Sequence, residues 1–179
     1  LALGWGGGSQ TIIAAHCTEV LTTLDKRVFL FVAADNGNGQ FTNLTLADRT
    51  ALQTYINEKK VAGTDIVVIS STADLLWLAF SIKFGGIPAQ QAQVEADVKQ
   101  AIIDYINALP FGATLSISLL SNHLFSVPNV LDVTWTSTKV DTGNGYVSYL
   151  NNLITSTVGY FEIGKDQNNA DLIDLNMYQ

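Results

Sequence analysis

The chain is poor in charge, in cysteine and in proline. Of its 179 residues only 14% are charged, where an average soluble domain carries about 25%. Nine Lys+Arg stand against 16 Asp+Glu, a net charge of −7. So few and so scattered a set of bases offers no electrostatic footprint for nucleic acid, whose binding rests on Lys and Arg neutralising phosphates. The same sign argues against an anionic membrane surface. No apolar run reaches the roughly 18 residues of a membrane span. The densest, Leu75 to Phe84, is interrupted by Ser81 and Lys83 and is strand-length. Cys17 is the only cysteine, which excludes an internal disulfide. The first residue is Leu1 and no basic signal-peptide region follows, so the chain reads as a piece of a longer polypeptide.

What is present points to a packed protein. The hydrophobic fraction is 47%, too high for disorder, and the length supports one domain with a sizeable core, with or without a smaller appendage. Thr, Asn, Ser and Gly replace the missing charge. Such a surface is either neutral or covered by partners.

Along the chain, Gly4 to Gly8 read as a flexible entry. Ser9 is placed to cap a helix with Ile13, Cys17, Val20, Leu21 and Leu24 on one face. Val28 to Val32 predicts a buried strand, closed by the loop Asp35-Asn36-Gly37-Asn38-Gly39. Thr45 with Asp48 resembles a capping box opening a helix that turns Leu52, Tyr55 and Ile56 inward and stops near Gly63. Asp65 to Ser70 predicts a strand, and Leu76, Leu78, Phe80, Ile82 and Phe84 alternate over a longer one. Val94, Val98, Ala101, Ile102, Tyr105, Ile106 and Leu109 then form a helical stripe between Pro88 and Pro110. Gly112 to Ile117 predicts a short strand or an extended link. Ser118 is placed to cap a compact helix carrying Leu120, Leu124 and Phe125, stopped before Pro128. Leu131, Val133 and Trp135 alternate along a further strand, and Gly143-Asn144-Gly145 signals a hairpin into Tyr146 to Leu150.

This order predicts an α+β fold with a split βαβ (ferredoxin-like) antiparallel sheet covered by helices. In that plan the strands at 65–70 and 76–84 pair as a hairpin. The expected domains are an N-terminal linker and helix over 1–27, an α+β core over 28–150, and a C-terminal extension over 151–179. That extension cannot bury Val158, Tyr160, Phe161 and Leu172 alone, so it is expected to dock on the core or on a neighbour.

The search for chemistry is negative. His16 and Cys17 are adjacent, and neighbours on a helix point in different directions, so they form no dyad; Cys17 is expected to be a small buried hydrophobe. His123 has no nearby His or Cys partner for a metal and is expected at the surface or an interface. Gly4, Gly6, Gly7 and Gly8 lack the Lys-Ser/Thr and the preceding strand of a phosphate loop. The loop at 35–39 carries oxygens but has Gly where an EF-hand needs ligands and lacks the bidentate Glu, and the loop at 166–171 has oxygens that could hold a weak cation; both are expected to be solvated. Glu58, Glu95, Asp97 and Asp104 lie on helix positions that look exposed, and nothing pairs them with an aromatic-lined cleft. Arg27 and Arg49, the only arginines, lie in no Gly-rich cradle. No catalytic, cofactor-binding or metal residue is assigned, no cofactor is expected, and the chain is not expected to be an enzyme.

One stretch carries a resemblance. The run Val94-Glu95-Ala96-Asp97-Val98-Lys99-Gln100-Ala101-Ile102 through Tyr105-Ile106-Asn107-Ala108-Leu109-Pro110-Phe111-Gly112 is similar to the helix and turn "V-x-x-A-I-x-x-Y-L-x-x-L-x-x-G-G-T-L". That pattern belongs to the C-terminal region of baseplate J-like proteins of contractile phage tails. Their following pattern, "L-S-x-L-x-x-x-L-x-x-V-P-G-V-x-D-V", resembles Thr114 to Leu120 and then Leu124-Phe125-Ser126-Val127-Pro128-Asn129-Val130-Leu131-Asp132-Val133. Upstream, Leu52 to Ile56 and Ala62-Gly63-Thr64-Asp65-Ile66-Val67-Val68 are similar to the family's helix, "P-V-G-A-D-V-x-V" turn and strand. The likeness spans Asp48 to Trp135, about half the chain. Asn129 stands where the family commonly has Gly, a substitution that suits left-handed backbone. Residues 1–27 and 151–179 have no counterpart.

The resemblance implies a structural virion protein: a baseplate wedge subunit or a fragment of one, assembled in the host cytoplasm. It implies partners among other baseplate and tail proteins and copies of itself, with no nucleic acid, membrane or small-molecule substrate. The alternative is a small-ligand-binding or regulatory module, since split βαβ folds often host such roles. A small enzyme of that fold, such as a phosphatase, would need an Arg-bearing anion loop. Phe125 is expected to be buried, with Phe125→Ala costing roughly 3–5 kcal/mol.

Overall fold

A computed structural model describes residues 8, 10–21, 26–149 and 152–179. Among them the chain forms eleven strands and three α-helices, a mixed α+β protein. It divides into two compact units, one running to Ala73 and including Val158–Tyr160, the other made of Asp74–Thr157 and Phe161–Gln179. The division falls inside the span 28–150 read from sequence as one core.

The first unit is built on β2 (Lys26–Asp35). β1 (Ile12–Leu21) lies antiparallel along one side of it. On the other side β4 (Asp65–Ile69) runs parallel beside Arg27 to Phe31, and the two-residue β3 (Phe41–Thr42) pairs antiparallel at Ala34 and Asp35. α1 (Leu46–Lys59) makes the crossover to β4. Its start follows the sequence signal: Thr45 caps it, accepting from the Asp48 backbone N–H at 3.1 Å while its hydroxyl donates to the Asp48 carboxylate. Leu52 and Ile56 bury against Leu30, Val32, Ala34 and Val68.

Two expectations fail in this unit. The predicted N-terminal helix is a strand, β1. The apolar spacing at Ile13 and Cys17 fits a helix, but Ile12 to Leu21 is rich in β-branched residues, and pairing with the whole length of β2 outweighs local periodicity. Ser9 and Leu24 lie outside the described residues, as do the side chains of Val20 and Leu21. Cys17 is exposed, not buried, because no described element covers either face of β1 from Ala15 to Glu19, all of which are exposed. The expected hairpin between 65–70 and 76–84 also does not form. β4 pairs with β2 as an adjacent parallel strand, and β5 (Asp74–Phe84) belongs to a different sheet. The strands expected to share one split βαβ sheet are therefore divided between two.

The second unit is built on β5, whose residues alternate as predicted: Leu76, Leu78, Phe80, Ile82 and Phe84 are buried. β7 (Val130–Asp141) pairs antiparallel with it, and β8 (Tyr146–Tyr149) pairs with β7 across the predicted hairpin. Along the opposite edge of β5 run β10 (Phe161–Ile163) and then β11 (Ile173–Tyr178), both parallel to it. The stretch read as an extension thus supplies one whole edge of this sheet. α2 (Gln91–Asn107) buries Val94, Val98, Ile102 and Ile106, the predicted stripe. A short pair, β6 (Thr114–Ser116) with β9 (Leu153–Thr155), leads into α3 (Ile117–Leu124).

Three details differ from the sequence reading. Ser116, not Ser118, caps α3, accepting from the Leu119 N–H. Phe125 follows the last helical residue and is 46% exposed, because Leu120 and Leu124 already fill the face turned to the core. Leu131 is 59% exposed although it alternates with Val133 and Trp135. The register shifts between Lys83 and Phe84, whose partners are Asp132 and Val130, so Leu131 is the extra residue of a bulge.

Candidate interaction surfaces

The residues weighed for chemistry are not brought together. His16 and Cys17 are both exposed on β1, where consecutive side chains point to opposite faces. His123 is exposed and lies against the Tyr105 ring, 5.4 Å between centroids; burial pushes the Tyr105 phenol above its ordinary value. Glu58, Asp97 and Asp104 are exposed and Glu95 is half-buried; Glu95 pairs with Lys99 at 2.7 Å, while Gln93 and Gln100 each donate to an aspartate one turn on. The Arg27 guanidinium lies 6.0 Å from the Phe29 ring centroid, and Arg49 reaches the Ser70 carbonyl. Among the described residues no group of three or more His, Cys, Asp and Glu could hold a metal ion. Gly4, Gly6 and Gly7 lie outside the described residues. No described helix is long and apolar enough to cross a membrane.

The loop oxygens are occupied by their own backbone. Asp35 Oδ1 accepts from the Gly37 and Gly39 N–H groups, both at 2.8 Å. Asp166 Oδ1 accepts from Asn168 at 2.8 Å and Ala170 at 2.9 Å, and Lys165 pairs with Asp171. These carboxylates close turns.

Three features the sequence did not disclose stand out. The first is on the outer face of the second unit's sheet. Trp77 alternates with the buried positions of β5, so it faces outward; its indole N–H donates to Asp174 Oδ2 at 2.6 Å, and the Lys139 ammonium sits 3.6 Å from its ring centroid. The Tyr146 ring meets Trp77 edge-on at 5.8 Å. It crosses Gly164, where any side chain would collide with its hydroxyl. Burial, and then the Asp141 charge, push the Tyr146 phenol above its ordinary value. The alternation of β5 signals an outward Trp77, but Lys139 and Asp174 come beside it only through strand pairing.

The second is a buried carboxylate. Asp74, 1% exposed at the start of β5, accepts from Ser156 Oγ at 2.9 Å, the Thr157 N–H at 2.5 Å and Thr157 Oγ1 at 2.9 Å. This ties the segment before β10 to the sheet.

The third is what lies open. Ile87, Leu119, Phe125, Leu131, Val147 and Leu153 are exposed apolar side chains of the second unit. In the first unit the outer edge of β1 pairs with no other strand among the described residues. An unpaired strand edge, and exposed apolar side chains where they are contiguous, are surfaces that protein–protein association can use. Neither protein-family models nor curated proteins give a match to this chain.

Proposed function

We propose that the chain is a structural subunit, or a fragment of one, of a contractile-tail baseplate wedge, acting through contacts with neighbouring tail proteins and with copies of itself. The observation that carries this reading is the backbone of the segment resembling baseplate J-like proteins. Asn129 has φ +66° at the position where that pattern has Gly, and Gly112 has φ +80° at the first Gly of "G-G-T-L". Both positions need left-handed backbone, which Gly and Asn adopt with least strain. The helix, turn, short strand and second helix occur in the order of the pattern. The exposed apolar residues and the open edge of β1 suit a protein that is covered in an assembly, as a virion component would be.

Sedimentation of the purified chain, alone and mixed with neighbouring baseplate proteins, tests this. Ring-like or wedge oligomers, or stable complexes with those proteins, are expected. A monodisperse monomer at high concentration that binds none of them contradicts it. The alternative, a small-ligand module, draws on the Trp77 platform. It predicts a saturable change in tryptophan fluorescence that Trp77→Phe abolishes.

A further inference from the structure

The sequence contains three Asn-Gly dipeptides, Asn36-Gly37, Asn38-Gly39 and Asn144-Gly145. All lie in exposed hairpin loops, between β2 and β3 and between β7 and β8. Asn-Gly is chemically labile. The glycine backbone nitrogen loses its proton and attacks the asparagine Cγ, the bond from Cγ to the side-chain nitrogen breaks, and ammonia leaves with the proton. Water then opens the resulting succinimide to aspartate or isoaspartate. Glycine is the favourable partner because no Cβ shields its nitrogen.

Here each of the three attacking nitrogens has its N–H committed to a carboxylate. Gly37 and Gly39 donate to Asp35 Oδ1, and Gly145 donates to Asp141 Oδ1, every contact at 2.8 Å. A negatively charged acceptor holds that proton and disfavours the amide anion that attack requires. Asn36 is restrained further, since its Oδ1 accepts from Asn38 N–H at 2.9 Å and its Nδ2 donates to Gln40 Oε1 at 3.1 Å.

We propose that Asp35 and Asp141 guard three latent deamidation sites, Asn36, Asn38 and Asn144, by holding the nucleophilic glycine nitrogens. Release of a carboxylate turns its loop into a modification site that gains negative charge. Because the loops lie in different units, each serves as the other's control.

The test follows deamidation of the full chain by peptide mapping and isoaspartate assay, in native buffer and in urea. All three sites are expected to react at least about tenfold more slowly in the native protein, the factor a charge-assisted hydrogen bond supplies. Asp141→Ala is expected to accelerate Asn144 alone, and Asp35→Ala to accelerate Asn36 and Asn38 alone. Equal native and urea rates overturn the proposal, as do folded alanine variants whose sites stay slow. If an alanine variant unfolds, wholly or in the unit that carries the mutation, seen by circular dichroism and thermal unfolding, Asp141→Asn and Asp35→Asn decide, since they keep an acceptor oxygen without the charge. An intermediate rate at the guarded site supports the guard, and a wild-type rate overturns it.

Discussion

Asp35, Asp141 and Asp166 close three hairpin loops in the same way, each accepting from the N–H groups two and four residues on. At Asp166 the backbone N–H of Ala170, and next that of Asn168, hold the carboxyl below its ordinary value of 3.8. A depressed value in the folded state means that Asp166 adds stability above its ordinary range, and that this is lost as pH falls through the lower folded value. A carboxyl-detected NMR titration is expected to place Asp166 below its own ordinary value, and Asp166→Asn to flatten that part of the acid unfolding profile. A titration at the ordinary value contradicts the turn geometry. The α3 terminus makes a second residue-scale contrast. Phe125 is half-exposed whereas Leu120 is fully buried, so Leu120→Ala should cost about 2–5 kcal/mol and Phe125→Ala in the isolated chain below about 1 kcal/mol. Chemical denaturation measures both; equal losses would place Phe125 in the core. The loops themselves were legible from their Gly and Asn. What each aspartate accepts was not, since that depends on how the loop closes.

Among the described elements, β4 and β1 have edges that pair with no other strand, and they treat them differently. Gln53 of α1 donates to the Ile66 carbonyl and accepts from the Val68 N–H, both at 2.8 Å, so one side-chain amide takes the place of a strand along β4. Gln53→Ala leaves both groups half-buried without that partner and should destabilise by about 1–2 kcal/mol, read by thermal unfolding; no measurable loss would mean that water replaces the amide. Asp74 plays a comparable part in the second unit, and Asp74→Ala should cost about 2–3 kcal/mol through the hydroxyls it abandons. The stripe of α2 and the alternation of β5 could be read directly, because both elements face one core and their period is unambiguous. β1 could not, because its apolar spacing fits a helix as well as a strand. Nor could the exposure of Leu131, because a bulge is set by the partner strand and leaves no mark in the alternation of β7.

At the scale of the whole molecule, α+β composition was legible and strand pairing was not. Pairing joins residues far apart in sequence: Phe161 to Ile163 and Ile173 to Tyr178 complete an edge of β5, whose neighbours are set by burial rather than by order along the chain. The wedge reading rests on the left-handed turns at Gly112 and Asn129 within the segment similar to baseplate J-like proteins. Its most direct test is electron microscopy of contractile particles decorated with antibodies against this chain. Labelling at the baseplate, in symmetric copies around the tail hub, is the expected result. Particles with intact baseplates that carry no label there would contradict the account.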